Sequence, residues 1–456
     1  MVSTEPHLTL LLAYYGDDFT GSTDALEALT LAGVPTVLFF QTPDAQALRR
    51  FPQVRAVGLA GHARGRSPDW MHEHLAPALQ ALAALGAPVL HYKVCSTFDS
   101  SPAIGSIGCA IDIGVPLMPG SWSPMVVGVP RLGRYTAFGH LFAMAQGKGW
   151  RLDRHPTMSR HPVTPMAEGD LAVHLGAQTT RRRTLVDFTQ LKAGAGDSAL
   201  QAATSGDDQP VVLIDVLDDE TLREAGRLVW QHRGAGVFSA SSSGLSYALA
   251  AHWQSIGEIA GPAVLPPAGP VPAIAVVSGS CSPVTAGQID WALGHGFAGH
   301  RLSPEALLTD ESAAVSEAVA AACAALDHGK CPLVYTARGP DDPAVQQFAE
   351  HARAAGLSRE DAALRTGQAL ARVMQGLLDR RPGLRRVAVA GGDSSGEVAA
   401  ALGVLALTMQ ARLAPGAPLC RTWSDRPERD GLELVLKGGQ MGEPDFFGRV
   451  RDGLPS

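Results

Sequence analysis

The chain has 456 residues, more than one hydrophobic core usually holds, so two domains are expected. Apolar residues make up 46% and charged residues 18%, which excludes wholesale disorder. The formal net charge of -7 excludes a general pull on nucleic acid or anionic membrane, so an anionic substrate must be captured by local cations and backbone N–H groups.

The amino terminus lacks a basic leader region, and its apolar run stops at two aspartates, so it reads as a first strand. No stretch approaches the roughly 20 apolar residues that span a membrane. Six scattered cysteines without a Cys-x-x-Cys pair read as free thiols in a reducing compartment. A cytoplasmic protein is the expectation.

In chain order, strands are predicted at 8–15 and 35–40, flanking a helix at about 22–33. Further strands are expected at 54–60, 88–94, 124–130, 211–216 and 236–241, with helices at 69–86 and 218–233 between them. The segment 258–272 is rich in Pro, Gly and Ala and reads as a linker. Domains at 1–257 and 273–456 follow. After the linker, strands at 273–277, near 300, at 332–337 and at 385–390 alternate with helices from 283, at 311–327, 359–380 and 395–402. LELVLKG at 432–438 is expected to close the sheet. Strand–helix alternation predicts α/β architecture, two domains, each a mostly parallel sheet flanked by helices.

The first domain concentrates chemistry at strand ends. YYGDDFTGSTDALEAL places Asp17 and Asp18 side by side after the first strand, the usual ligand crevice of an open α/β sheet. Two like charges need a cation, donors or a substrate hydroxyl, and one carboxylate can take a hydroxyl proton during phosphoryl transfer. The plain alternative is a solvated acid pair that caps a helix. HYKVCSTFDSSPAIGSIG sets Lys93, Ser96 and Thr97 at another strand end, a cation with two hydroxyls that suits a carboxylate-bearing polyol. Arg131, Arg134 and His140 follow in GVPRLGRYTAFGHLFA, and His161 lies in the proline-punctuated loop 158–171. Each histidine also reads well as a packed or surface side chain, and their spacing does not suggest zinc.

In the second domain, VVSGSCSPVT leads from a strand into a helix that Ser282 can cap, with Pro283 in its first turn. The small residues Ser278, Gly279 and Ser280 let an anion approach the backbone. GGDSSGEVAAALG repeats the recipe with Gly391, Gly392, Asp393 and Ser394, where Asp393 can hold Mg²⁺ or order the loop. LKGGQMG adds Lys437, Gly438 and Gly439. Any one of these is an ordinary turn, but three in one domain point to a nucleotide. No P-loop signature occurs, and AGAGDSAL at 193–200 reads as a surface turn although it superficially matches the anion hole of ribokinase-type kinases.

Taken together and in order, GDDFTGSTD, KVCSTFDSSPAIG, SRHPVTPM, SGSCSPVT, GGDSSG and LKGGQMG resemble the four-carbon acid sugar kinase family along nearly the whole chain. The resemblance implies an amino-terminal sugar-acid domain, a carboxyl-terminal nucleotide domain, and ATP-dependent phosphorylation of a terminal hydroxyl. It implies ATP and Mg²⁺ as cofactors, a small sugar acid as partner, and allows a homo-oligomer. Asp17, Asp18, Lys93, Ser96 and Thr97 then fall at substrate positions, with Asp18, or else Asp17, as proton acceptor. Ser278, Ser280, Gly391 to Ser394 and Gly438 fall at nucleotide positions. Gly16 stands where tetronate kinases usually show Ala, and Cys95-Ser96-Thr97-Phe98-Asp99-Ser100 replaces their usual run after the lysine. In this the chain is similar to kinases acting on 3-oxo-isoapionate. A ribokinase-type kinase using Asp197 and a sugar-acid sensor without turnover are the alternatives.

Overall fold

The structure is a computed structural model that describes residues 9–145, 147–161, 163–206 and 208–455. Leu8, where the first strand was expected to start, and Pro162 of the 158–171 loop lie outside the described residues. The chain forms two compact units, Met1–Val264 and Leu265–Ser456, dividing inside the Pro/Gly-rich stretch.

The strands of the first unit are β1 (Leu12–Gly16), β2 (Thr36–Phe39), β3 (Ala56–Ala60), β4 (Val89–Lys93), β5 (Ser123–Met125), β6 (Arg134–Ala137), β7 (His140–Ala145), β8 (Lys148–Arg151), β9 (Arg183–Val186), β10 (Val211–Ile214) and β11 (Val237–Ser241). The main sheet runs β11-β4-β1-β3-β2 with every pair parallel. All five strands are buried along their length, which is why they read as continuous apolar runs rather than alternating ones. A smaller parallel sheet runs β5-β10-β9. The helix Phe19–Leu31 begins three residues earlier than its apolar spacing suggested, because Asp18 caps it by accepting the Gly21 N–H. A third sheet, β6-β7-β8, is antiparallel and was not expected. β6 and β8 are partly exposed and carry Arg, Lys and Gly, and only β7, HLFAMA, has an apolar run.

The second unit adds β12 (Ala275–Ser278), β13 (Phe297–Arg301), β14 (Cys331–Tyr335), β15 (Arg386–Ala390), β16 (Val404–Ala414), β17 (Ala417–Ser424) and β18 (Glu433–Lys437). Their order is β16-β17-β18-β15-β12-β14-β13, parallel from β18 to β13 and antiparallel from β16 to β18. Two expectations need correction. β18 does not close the sheet but sits inside it between β17 and β15, and β17 was not foreseen. The helices Glu311–Asp327 and Arg359–Arg380 match their expected spans. The helix expected from 395 starts at Gly392.

Beneath this sheet Arg386 is 1% exposed, and its guanidinium meets Glu433 at 2.6 Å and the carbonyls of Gly269, Val450 and Ala268 at 3.0, 2.8 and 3.3 Å. A cavity of about 540 Å³ opens beside it, lined by Thr408, Gln410, Arg421 and Glu433 among others. It lies at the amino ends of β15 and β18, opposite the glycine-rich turns.

Candidate functional site

In the first unit, β3, β1 and β4 lie side by side and parallel, so their carboxyl ends deliver three loops to one edge. Backbone bonds stitch these loops: the Asp17 N–H donates to Lys93 O at 3.0 Å, and the Arg64 N–H donates to Asp17 O at 3.0 Å. Asp17, Asp18 and Lys93 are thereby brought together. Arg64, which no motif marks, completes the cluster. Its Nε and Nη2 donate to Asp17 at 3.0 and 2.6 Å, and its Nη1 and Nη2 donate to Asp18 at 2.9 and 3.0 Å. Lys93 is 3% exposed and pairs with Asp24 at 3.2 Å.

The electrostatics separate the two acids. Burial pushes the Asp17 carboxyl above its ordinary value against the pull of Arg64, and the neighbouring Asp18 charge adds to the rise. Burial acts upward on Asp18 too, but Arg64, Lys93 and hydrogen bonds from Thr20 and Gly21 outweigh it and hold that carboxyl low. Desolvation opposes the Lys93 charge, yet Asp24, Asp18 and Asp17 raise it above the usual lysine range.

The loop after β4 carries the remaining substrate candidates. Ser96 is half-buried, whereas Thr97 is buried and its hydroxyl donates to Asp99 while meeting Cys95 Sγ at 2.9 Å. Thr97 thus spends its proton inside the loop and offers a ligand only acceptor capacity. Burial pushes the Cys95 thiol up to about 11, so it stays protonated. Phe98 holds a left-handed φ of 58°, a costly conformation for an aromatic residue and typical of ligand-shaped loops.

Arg134 and His161 are not brought to this cluster by any hydrogen bond or ion pair among the described residues. Arg134 donates to Leu132 O at 3.0 Å, and His161 Nδ1 accepts the Thr164 N–H at 3.1 Å. Both act as local turn staples in the structure. Asp197 is exposed and paired with Arg227 at 2.8 Å and His232 at 2.7 Å, but it lies in the first turn of the helix Gly196–Ala203, which corrects the reading of 193–200 as a surface turn.

Gly16 has a specific cause. A Cβ there would overlap Ser22 Oγ, which donates to Asp18 O at 2.6 Å as the helix begins. Gly16→Ala alone is therefore expected to cost about 1–3 kcal/mol by overpacking. Gly16→Ala with Ser22→Ala should recover only part of that loss in a denaturant melt, because Ser22 Cβ and Cα also stand 2.8 and 3.0 Å from the added Cβ.

The second unit repeats the geometry. β12, β15 and β18 are adjacent and parallel, pairing Ser278 with Ala390 and Ala390 with Lys437. The Gly279 N–H donates to Ala390 O at 3.0 Å, and the Gly391 N–H to Lys437 O at 2.9 Å. Ser282 caps the helix Pro283–Leu293 and also donates to Gly439 O at 2.6 Å. All three glycine-rich turns meet here, with the first turn of the helix Gly392–Ala401 among them.

Several observations fit this bed to phosphates. A Cβ on Gly279 would overlap Ser394 Oγ, and one on Gly439 would press Ser280 Oγ at 2.9 Å, so the backbone is packed for close approach. Gly392 faces open space, and Gly391 holds a φ of 124° that suits only glycine. Ser278 Oγ is buried without a hydrogen-bond partner among the described residues. Asp393 is exposed in the first helical turn, free of the serine contacts beside it.

Lys437, named with the nucleotide turns, is held inside the last of them. It is fully buried, and its ammonium donates to Thr285 Oγ1 at 3.0 Å, Gly438 O at 2.9 Å and Gly439 O at 3.3 Å. Burial pushes its pKa down to about 7. It draws the turn's carbonyls inward.

Fold and clusters define a two-unit α/β protein with a paired-acid cluster on one unit and converging glycine-rich turns on the other. A model of a sugar-binding N-terminal domain matches residues 12–249, and a model of a nucleotide-binding C-terminal domain matches residues 275–447. The chain is 62% identical over 446 residues to the 3-oxo-isoapionate kinase of Paraburkholderia graminis, covering 97% of this chain and 94% of that protein. A 3-oxo-tetronate kinase of Cupriavidus necator is 34% identical, with 96% of this chain and 95% of that protein covered. A solved structure from Salmonella typhimurium shares the fold at a TM-score of 0.75 and 24% identity, covering 97% of this chain and 98% of that one. The chain belongs to the four-carbon acid sugar kinase family, which joins a sugar-binding domain to a nucleotide-binding domain.

Proposed function

We propose that the protein transfers the terminal phosphoryl group of ATP to a terminal hydroxyl of 3-oxo-isoapionate. The observation that carries this reading is the 62% identity to a kinase of that name across 97% of the chain, which includes every motif described above. In this reading Lys93 and the hydroxyl of Ser96 hold the substrate carboxylate, and one acid of the Asp17–Asp18 pair takes the hydroxyl proton. The Ser278–Ser282, Gly391–Ser394 and Gly438–Gly439 turns cradle the nucleotide phosphates, and Lys437 keeps the last of them in shape. Asp393 would hold Mg²⁺ beside the phosphates, since such a cation needs only one or two protein carboxylates. Bound there, Mg²⁺ supplies charge neutralisation on the transferring group.

ADP release over a panel of 3-oxo-isoapionate, 3-oxo-tetronate, threonate and erythronate tests the assignment. kcat/KM for 3-oxo-isoapionate should exceed the others by at least about tenfold, the discrimination that one carbon and its contacts can supply. Preference for a four-carbon acid would reassign the substrate, and binding without ADP release from any acid would favour a sensor.

A further inference from the structure

Resting on that reading, we propose that Arg64 is the positioning residue of the acid pair, and that it leaves Asp17 rather than Asp18 as the carboxylate able to accept the substrate proton. Asp18 accepts from Gly21 N at 2.7 Å, Thr20 Oγ1 at 3.0 Å, Arg64 Nη1 at 2.9 Å and Arg64 Nη2 at 3.0 Å. A carboxylate offers about four lone-pair sites, so Asp18 is full. It is committed to capping a helix and to Arg64.

Asp17 accepts only the two Arg64 bonds among the described residues, at 3.0 and 2.6 Å, which leaves room for a hydroxyl hydrogen on each oxygen. Its side chain is 4% exposed, against 22% for Asp18, so a bound hydroxyl there would be shielded from water. Arg64 spends four of its five N–H groups on the pair and has its own backbone N–H tied to Asp17 O, which fixes both acids relative to it. Gly105 seals the loop from behind: its N–H donates to Arg66 O at 2.8 Å, and a Cβ there would overlap Arg64 O.

In the step itself, the substrate O–H bond breaks as the new P–O bond forms. The proton passes to Asp17, and ADP leaves with the electrons of the broken P–O bond. Asp17 must be ionised beforehand. The charged groups acting on it are Arg64 from the loop after β3, Asp18 on its own segment and Lys93 on β4, with Asp24 paired to Lys93, while Tyr15 and Tyr92 beside it stay protonated. Burial and Asp18 work against the charge, and Arg64 is the largest single counterweight.

The test compares Asp17→Asn, Asp18→Asn, Arg64→Met and Arg64→Lys in the full chain. Asp17→Asn should lower kcat by about 100-fold or more, the range of a lost general base, while Asp18→Asn loses less than about tenfold. Arg64→Met should move the acid limb of the kcat/KM profile up by about one to three pH units, because an adjacent cation lowers a carboxyl by that much, and Arg64→Lys should restore part of the shift. A uniform loss of rate without movement of the limb, or a larger loss in Asp18→Asn than in Asp17→Asn, overturns the proposal. Carboxyl-carbon NMR titration of the ligand-free protein, with Asp17→Asn as assignment control, reads the same shift without turnover. Should wild type release no ADP with any sugar acid, the kinase reading falls, while the titration still decides whether Arg64 governs Asp17. Circular dichroism melts identify a variant that fails to fold, for which Arg64→Lys then carries the measurement.

Discussion

Gly279→Val is expected to lower kcat/KM for ATP by about 100-fold or more, the scale of loss that ångström-level misplacement of reacting groups produces. A side chain at 279 meets Ser394 Oγ, with Leu370 Cδ1 at 3.2 Å behind it. The backbone cannot retreat, because the Gly279 N–H is bonded to Ala390 O and the preceding Ser278 O accepts the Thr336 N–H at 3.0 Å. The strain is therefore released through Ser394, in the first turn of the Gly392–Ala401 helix, whose N–H groups are assigned to phosphate. Initial rates at varied ATP measure the effect, and calorimetry with the sugar acid alone checks that the first unit is intact. A variant within threefold of wild type would remove this turn from the nucleotide site.

Arg386→Met should destabilise the second unit by about 3–5 kcal/mol, the usual cost of breaking a buried ion pair from one side. The loss leaves the Glu433 carboxylate with only the Gln410 amide at 3.0 Å and frees the carbonyls of Ala268, Gly269 and Val450. Since Ala268 and Gly269 lie in the Pro/Gly-rich stretch, the guanidinium is what ties that stretch beneath β15 and β18. Urea unfolding followed by tryptophan fluorescence reads the change. A shift below about 1 kcal/mol would mean that water replaces the guanidinium at those carbonyls.

The strand-end clusters were legible because their chemistry is written in short contiguous motifs. Asp17, Asp18 and Lys93 meet as expected, since β1 and β4 are neighbours and parallel. The three glycine-rich turns converge for the same reason, β12, β15 and β18 being adjacent. Arg64 was invisible because GHARGR carries no periodicity and gains meaning only when β3 pairs with β1. Arg134 and His161 were named from polar side chains in loops, and in the structure each makes hydrogen bonds within its own turn. Lys437 was placed correctly in sequence and differently in role, because burial directs its ammonium to the turn's own carbonyls. The β6-β7-β8 sheet escaped notice because β6 and β8 are partly exposed and polar, leaving the apolar run of β7 without legible partner strands.

The proposed ligand-holding groups of the first unit stand in the loops after β1, β3 and β4 or, for Lys93, on the last residue of β4. Recognition can therefore be rewritten without disturbing the packed apolar layer beneath it. Lineages that change the acid they consume would be expected to alter residues 95–100 first, around the strained Phe98, and to leave Val89 to Tyr92 nearly as they are.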